Sequence, residues 1–158
     1  MNDHLQRPNE IPWPPLVYVG AFFVAAVLQK IMPIDFVDRW LALVPDAFGY
    51  VVVAAGLALD GWAMQRLWVA DTAIMPTSAA DALVTDGPYA HTRNPIYIGN
   101  TVVLAGVALG LAWTWLLLVL PPVLFLVQAL AVLPEEEHLA ARFDSEWRAY
   151  AARVPRWL

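Results

Sequence analysis

The stretch that decides the fold runs from Asn94 to Glu137 and reads NPIYIGNTVVLAGVALGLAWTWLLLVLPPVLFLVQALAVLPEEE. It contains two long apolar runs, and the residues from Gly110 to Trp113 between them leave room only for a tight turn. The two runs therefore predict an antiparallel helical hairpin. Polar residues stand at both of its open ends, Asn94 at one end and three glutamates at the other, so these polar segments are expected to meet in space.

Composition places the hairpin in a membrane. Of the 158 residues, 60% are hydrophobic and 15% are charged, which is too apolar for an ordinary soluble domain. Four apolar runs approach the roughly 20 residues that a membrane-spanning helix needs; they cover residues 16–32, 48–68, 96–111 and 113–133. The sequence predicts an all-α fold, an integral-membrane helical bundle with about four transmembrane helices and a C-terminal amphipathic cytoplasmic helix. We expect one domain over residues 1–158, with two spans in 1–70 and a polar loop, the hairpin and the last helix in 71–158.

Polar and small residues inside the spans predict how the helices pack. Asp60, in the middle of the second span, is costly in lipid and is expected to face the bundle interior, with Asn100 or Gln128 as its partner. Gly106 and Gly110 have the small-xxx-small spacing that lets two helices approach closely.

Prolines punctuate the last apolar run and the segment after it. Pro121-Pro122 removes backbone donors inside the fourth span and should kink it. Pro134 is expected to start a new helix, in which five residues share one apolar stripe: Leu139, Phe143, Trp147, Tyr150 and Val154. Glu136 falls inside this stripe, Glu135 at its edge and Glu137 on the opposite face. Two carboxylates therefore point to where the stripe docks, with simple compensation of the helix dipole as the alternative.

A second polar cluster precedes the third span. Tyr89, His91, Arg93 and Tyr97 crowd around Asn94-Pro95, which has the pattern of a helix N-cap followed by proline at the first helical position. A preceding Gly-Pro pair predicts a turn that makes these side chains face one place. Two interpretations stay open: a capped loop at the membrane interface, or a site where the helix N-terminus binds a carboxylate or phosphate.

Charge and cysteine content exclude other classes of protein. A formal net charge of -5 argues against a nucleic-acid partner. The chain has no cysteine, which excludes disulfides, thiolate metal sites and cysteine nucleophiles. Its three histidines, His4, His91 and His138, are scattered along the sequence, so no metal site is expected.

The polar segments also carry an ordered pattern in three elements around the hairpin. These are Leu83, Val84, Thr85, Gly87 and Tyr89, then Arg93, Asn94, Pro95, Tyr97 and Gly99, then Glu135, Glu136, Leu139, Phe143, Trp147, Tyr150, Val154 and Pro155. With this pattern, residues 81–158 resemble the isoprenylcysteine carboxyl methyltransferase family of integral-membrane, S-adenosylmethionine-dependent methyltransferases, and their relatives among the phospholipid N-methyltransferases.

The resemblance implies S-adenosyl-L-methionine as the cofactor and methyl transfer to a small lipophilic or lipid acceptor at the cytoplasmic membrane interface. The candidate cofactor-binding residues are Leu83, Val84, Tyr89, His91, Asn94, Pro95, Tyr97, Gly99, Glu136 and Tyr150. The candidate catalytic residues are Glu135, Glu136 and Arg93. Of these, Glu135 or Glu136 is the natural base for an acceptor that must lose a proton.

One departure from the pattern bears on the acceptor. In prenylcysteine methyltransferases a basic residue commonly lies one turn before the double glutamate, and here Ala131 occupies that place. This argues against a prenylcysteine carboxylate as substrate. Two other functions stay open: a nicotinamide-dependent membrane reductase of the sterol-reductase type, whose C-terminal pattern is similar, and a non-enzymatic membrane scaffold.

The distribution of cations predicts the topology. Seven of the nine lysines and arginines lie in the N-terminal tail, the middle loop and the C-terminal segment, whereas Lys30 and Arg39 lie on the other side of a four-span bundle. By the positive-inside rule both termini are cytoplasmic, and a prokaryotic inner membrane is the expected location. A reporter enzyme that is active only in the cytoplasm should be active when it is fused after Leu158. A reporter enzyme that is active only outside the cytoplasm should be active when it is inserted between Lys30 and Arg39. The opposite pattern would contradict this topology.

Overall fold

The computed structural model describes residues 11–75 and 77–158, and this part of the chain is helical apart from turns and loops. The helices are, in order, α1 (Trp13–Ile31), α2 (Asp35–Leu41), α3 (Asp46–Val69), α4 (Pro95–Leu111), α5 (Thr114–Leu118), α6 (Leu120–Val127) and α7 (Leu133–Ala151). A 3₁₀ turn (Gly87–Ala90) precedes α4, and a π-helical segment (Gln128–Val132) joins α6 to α7. Most of the expected N-terminal tail lies outside the described residues.

In the described residues three helical stretches are long and apolar enough to cross a membrane, namely α1, α3 and Thr114–Ala151. The remaining apolar helix, α4, has 17 residues. At about 1.5 Å per residue α4 is about 25 Å long, near the shortest length with which a helix spans the hydrocarbon core. The expected all-helical membrane bundle is confirmed.

The fourth span continues into the C-terminal helix as one stretch of 38 residues, Thr114–Ala151. α7 begins at Leu133 with Pro134 in its first turn, as predicted, but the π-helical segment before it joins it to α6 without a break. The Leu133 N–H donates to the carbonyl of Gln128, five residues earlier. In an ordinary α-helical turn the Pro134 ring would clash with the carbonyl four residues before it, and the wider π turn relieves this clash.

Two backbone features shape the hairpin. The predicted tight turn is present, with Ala112 in the left-handed region at φ 52° and ψ 42° between α4 and α5. The fourth span is interrupted at Val119, just before Pro121-Pro122. Both prolines therefore lie in the first turn of α6, where missing backbone donors are tolerated.

The backbones of α3 and α4 pack in close contact. A Cβ atom added to Gly106 would lie 2.6 Å from a backbone nitrogen of α3, and one added to Gly56 would lie 2.8 Å from the Gly99 carbonyl oxygen. A Cβ atom added to Gly49 would likewise collide with the backbone of Gly110. Larger side chains at these positions would separate the helices. The expected packing role of Gly106 is confirmed, whereas a Cβ atom added to Gly110 would make only ordinary contacts at 3.9 Å.

Asp60 of α3 faces the bundle interior, as expected, with 7% of its surface exposed. Its carboxylate contacts Gly99, where any Cβ atom would collide with it. The expected partners are wrong: neither Asn100 nor Gln128 reaches Asp60 Oδ1, which has no hydrogen-bond partner among the described residues. Gln128 instead accepts a hydrogen bond from Trp157 Nε1 at 2.9 Å.

At the other end of the bundle, α2 fixes α1 against α5. Asp38 accepts hydrogen bonds from the Thr114 N–H at 3.1 Å and hydroxyl at 2.6 Å, and from Gln29 Nε2 at 2.7 Å. Burial acts to raise the pKa of Asp38, but these hydrogen bonds outweigh it and lower the pKa below its usual value. One carboxylate thus joins three helices.

Gly49→Ala should force α3 away from α4, because the new Cβ meets the backbone of Gly110, which has no side chain to move aside. We expect the free energy of unfolding to fall by about 1–3 kcal/mol, measured by thermal unfolding in detergent. Gly61→Ala on the same helix is the matched control, because nothing lies within 4 Å of its added Cβ. Equal destabilisation by both variants would contradict the packing explanation.

Candidate functional site

The loop before α4 and the C-terminal segment, residues 152–158, are joined by hydrogen bonds. The Arg93 N–H donates to a backbone carbonyl of the segment at 3.0 Å, and the Asn94 side-chain amide donates to another at 2.9 Å. Tyr150, near the end of α7, donates its hydroxyl to the Tyr89 carbonyl at 2.8 Å. The two polar segments therefore meet. Asn94 stands at the N-cap position of α4, but its side chain holds the C-terminal segment instead of capping the helix.

α7 bends at Asp144, whose φ is 38°, a strained value for a residue other than glycine. Beyond the bend Trp147, Tyr150 and Val154 are buried, and the rings of Trp147 and Tyr150 lie 5.8 Å apart. Three partly buried residues from before the bend in α7 pack against them: Leu139, Ala140 and Phe143. The predicted apolar stripe forms, but across a bend instead of along one straight helix.

Glu136 lies between two arginines. Its carboxylate is 2.9 Å from Arg93 Nη1, and Arg156 donates to it from Nε at 3.0 Å and from Nη2 at 2.7 Å. These hydrogen bonds raise the pKa of the Arg156 guanidinium. The Arg93 guanidinium also lies over the Trp147 ring, 5.5 Å from its centroid. Glu136 therefore connects the loop, α7 and the C-terminal segment.

Glu135 has different surroundings. It accepts a hydrogen bond from the Tyr97 hydroxyl at 2.9 Å, and no arginine or lysine of the described residues pairs with it. Tyr97 is held in turn by α1, because the Tyr18 hydroxyl donates to the Tyr97 carbonyl at 2.9 Å. Glu137 is exposed. The three glutamates thus divide into one bound by arginines, one bound by a tyrosine and one in solvent.

A cavity of about 390 Å³ opens at this junction, within the size range of pockets that bind one small ligand. Its polar wall includes Glu135, Glu136 and Arg93. Most residues that the sequence assigns to cofactor binding also line it: Leu83, Val84, Tyr89, Asn94, Pro95, Tyr97, Glu136 and Tyr150.

Two residues of the predicted cofactor site lie elsewhere. His91 is exposed and does not line the cavity. Gly99 is on the face of α4 that contacts α3, where its missing side chain makes room for Asp60. It follows Tyr97 by two residues, and residues two apart on a helix point to different sides. Both residues are therefore left out of the candidate site.

The structure adds walls that the sequence did not indicate. They come from α1 and α3: Pro14, Pro15, Tyr18, Val19, Met64 and Leu67. A signal existed only for Tyr18, because a tyrosine inside an apolar run needs a partner for its hydroxyl. The others are apolar residues in apolar helices, and nothing in the sequence separates a cavity wall from a lipid contact.

The loop between α3 and the 3₁₀ turn covers the remaining side of the cavity. Thr72 Oγ1 accepts the Asp81 N–H at 2.8 Å and so closes the loop on itself. The Ala80 N–H donates to His138 Nε2 of α7 at 3.4 Å, and Arg142 pairs with Asp81 at 3.1 Å. The loop is therefore attached to α7 over the cavity.

Polar groups at the cavity are available to a ligand. Arg93 Nε is buried and has no hydrogen-bond partner among the described residues. Burial, followed by the charge of Glu135, raises the pKa of Tyr89 above its usual value, so this hydroxyl stays neutral. The cavity wall thus contains a buried guanidinium nitrogen without a hydrogen-bond partner among the described residues, the neutral Tyr89 hydroxyl and the Glu135 carboxylate.

A family model described as phospholipid methyltransferase matches residues 45–146, more than half of the chain. The chain belongs to the phospholipid methyltransferase family. The matched region contains α3, α4 and most of Thr114–Ala151, whereas α1 and the C-terminal segment lie outside it. Comparisons with curated proteins and with solved structures gave no match. Membership of this family implies a methyltransferase.

Glu136→Gln should destabilise the junction, because Arg93 and Arg156 would lose their shared carboxylate. The side chains of Arg93 and Glu136 are each 15% exposed, so the lost charge is only partly replaced by water. We expect the free energy of unfolding to fall by about 2–3 kcal/mol, measured by thermal unfolding in detergent. Glu137→Gln is the matched control and should change it by less than about 0.5 kcal/mol. A Glu136 variant as stable as the control would refute the structural role.

Proposed function

We propose that this protein transfers a methyl group from S-adenosyl-L-methionine to a lipid or another lipophilic acceptor at the membrane surface. Membership of the phospholipid methyltransferase family supports methyl transfer to a lipid-type acceptor. The proposed cofactor is supported by the surroundings of Glu135. It is a carboxylate that lines the cavity with a tyrosine, and no arginine or lysine, as its partner in the described part of the chain.

The residues around the cavity fit this cofactor. S-adenosyl-L-methionine carries a positive sulfonium and a carboxylate, and when bound it supplies the methyl group. Glu135 and the rings of Tyr89 and Tyr97 suit the cation through charge attraction and cation–π contact. Arg93 Nε, buried and without a partner among the described residues, suits the carboxylate.

The chain must align two reactants and exclude water from them. Arg93 and Glu136 hold the wall in place, and the loop attached to α7 covers the cavity. The Tyr97 hydroxyl orients Glu135. From this position Glu135 accepts a proton from the nucleophilic atom of a neutral acceptor, such as an amine, a hydroxyl or a thiol. An anionic acceptor needs no such base.

The shape of the cavity supports a lipophilic acceptor. Four apolar residues line it and are also exposed on the surface: Val19, Met64, Ile74 and Met75. A volume of about 390 Å³ is near the lower end of the range for drug-sized ligands. A long acyl or prenyl chain therefore has to remain largely outside the cavity, in the bilayer.

The cavity offers less support for the alternatives. A dinucleotide together with a sterol is larger than one drug-sized ligand, which disfavours a reductase. A scaffold has no use for a carboxylate that faces a cavity without a cationic partner, because such a group is costly to remove from water. A prenylcysteine carboxylate also finds no cation at Ala131, which is fully buried and does not line the cavity.

Glu135→Gln should weaken binding of the cationic cofactor more than binding of its neutral product. Calorimetry on detergent-solubilised protein should show about tenfold lower affinity for S-adenosylmethionine, a loss of about 1.4 kcal/mol. The affinity for S-adenosylhomocysteine, which lacks the sulfonium charge, should change less than about twofold, since the attraction that is lost acts on that charge. Methyl transfer from the tritiated cofactor into total lipid extract should fall with the same variant.

Glu137→Gln is the control on the same helix turn and should bind both compounds like the unmodified protein. Binding of NADPH in place of either compound would favour a reductase, and binding of none of the three would favour a scaffold. Identical effects of Glu135→Gln and Glu137→Gln would remove the carboxylate from the mechanism.

A further inference from the structure

One wall of the cavity is formed by a helix that lies outside the family match. Residues 45–146 match, but α1 spans Trp13–Ile31. From α1, Tyr18 and Val19 line the cavity. This part of the cavity wall therefore belongs to a part of the chain that the family pattern does not cover.

Hydrogen bonds of Tyr18 attach α1 to α4 beside the site. The Tyr18 hydroxyl donates to the Tyr97 carbonyl at 2.9 Å and lies 3.1 Å from Thr101 Oγ1. Tyr97 is the residue that also holds Glu135. The position of this wall is thus fixed relative to the carboxylate that faces the cavity.

Val19 sits at the border between the cavity and the lipid. It lines the cavity, yet 55% of its surface is exposed on a helix long and apolar enough to cross a membrane. Met64 of α3 also lines the cavity and is 39% exposed. A chain that leaves the cavity past Val19 and Met64 crosses an apolar border, whereas the part of the wall at Glu136 carries ion pairs.

We propose that α1 is the wall that selects the acceptor, with Val19 setting the width of the passage through which the hydrocarbon tail of the acceptor reaches the bilayer. The proposal rests on the proposed function, because it assumes a methyl acceptor with such a tail. It adds that α1, which lies outside the matched family region, determines which acceptors are methylated. Cofactor affinity should not depend on the residues of α1 that make this selection.

The test uses Val19→Trp and Val19→Ala in the full-length protein. Val24→Trp is the matched control: Val24 is on the same helix and 54% exposed, but it does not line the cavity. The acceptor probe is a total lipid extract, half of which has been converted to single-chain lipids with phospholipase A2. Tritium transferred from S-adenosylmethionine is counted separately in two-chain and single-chain products, and affinity for S-adenosylhomocysteine is measured in parallel.

Val19→Trp should lower methyl transfer to two-chain lipids about tenfold or more, the scale on which a hydrophobic pocket discriminates by size. It should lower methyl transfer to single-chain lipids less. Val19→Ala should instead raise the ratio of two-chain to single-chain products. Affinity for S-adenosylhomocysteine should stay within about twofold in every variant, because substitutions at Val19 and Val24 do not reach the polar wall. Methyl transfer by Val24→Trp to two-chain and to single-chain lipids should also stay within about twofold.

Three results separate the ways of failing. If the unmodified protein does not bind S-adenosylhomocysteine, the proposed function is wrong, and so is the proposal that α1 selects the acceptor. If it binds the compound but yields no lipid-soluble product, the cofactor assignment survives and the hydrocarbon-tailed acceptor does not. If lipids are methylated but Val19→Trp and Val24→Trp behave alike, the proposed function stands and α1 does not select the acceptor.

Discussion

The ion pairs of Glu136 join the three parts of the chain that carry the polar wall of the site. Arg93 comes from the loop before α4, Arg156 from the C-terminal segment and Glu136 from α7, so three distant parts of the chain meet on one carboxylate. The chain has no cysteine with which to join them covalently. Because a partly buried charge that loses its partner is strongly unfavourable, each of the three groups depends on the other two. Loss of the Glu136 carboxylate is therefore expected to loosen all three parts of the junction.

The length of the fourth helical stretch brings this junction to the edge of the membrane. Thr114–Ala151 has 38 residues, about 57 Å at 1.5 Å per residue, whereas the hydrocarbon core is about 30 Å thick. Glu135 lies 21 residues beyond Thr114 along this stretch, a rise of about 32 Å. If Thr114 is at one boundary of the core, Glu135 is at the other. A cavity at that level touches water at its polar wall and lipid at its apolar rim, which suits a polar cofactor and a lipophilic acceptor.

The sequence predicts well what local geometry dictates, and less well what depends on packing. The hairpin turn, the packing role of Gly106 and the different directions of Glu135 and Glu137 follow from helical periodicity, and the structure shows them. A proline after an apolar run predicts the helix start at Pro134, but periodicity contains no information on the π turn that joins this helix to the span before it. The resemblance implies His91 and Gly99 as site residues, but His91 is exposed and Gly99 faces α3. The wall from α1 could not be predicted, since nothing local links Tyr18 to Tyr97, 79 residues later.

Glu135 and Glu136 are adjacent in sequence and yet have opposite electrostatic situations. Arginines compensate Glu136, so its charge costs little and holds the structure together. Glu135 has the Tyr97 hydroxyl, which compensates a full negative charge only in part. On the proposed function, this cost is relieved when a cationic methyl donor enters the cavity, which strengthens its binding. Transfer of the methyl group leaves a neutral sulfide, the attraction to Glu135 is lost, and the product is released more readily than the substrate. On the same proposal, a carboxylate without a cationic partner beside one that has two provides both selection of the charged cofactor and a reason for turnover.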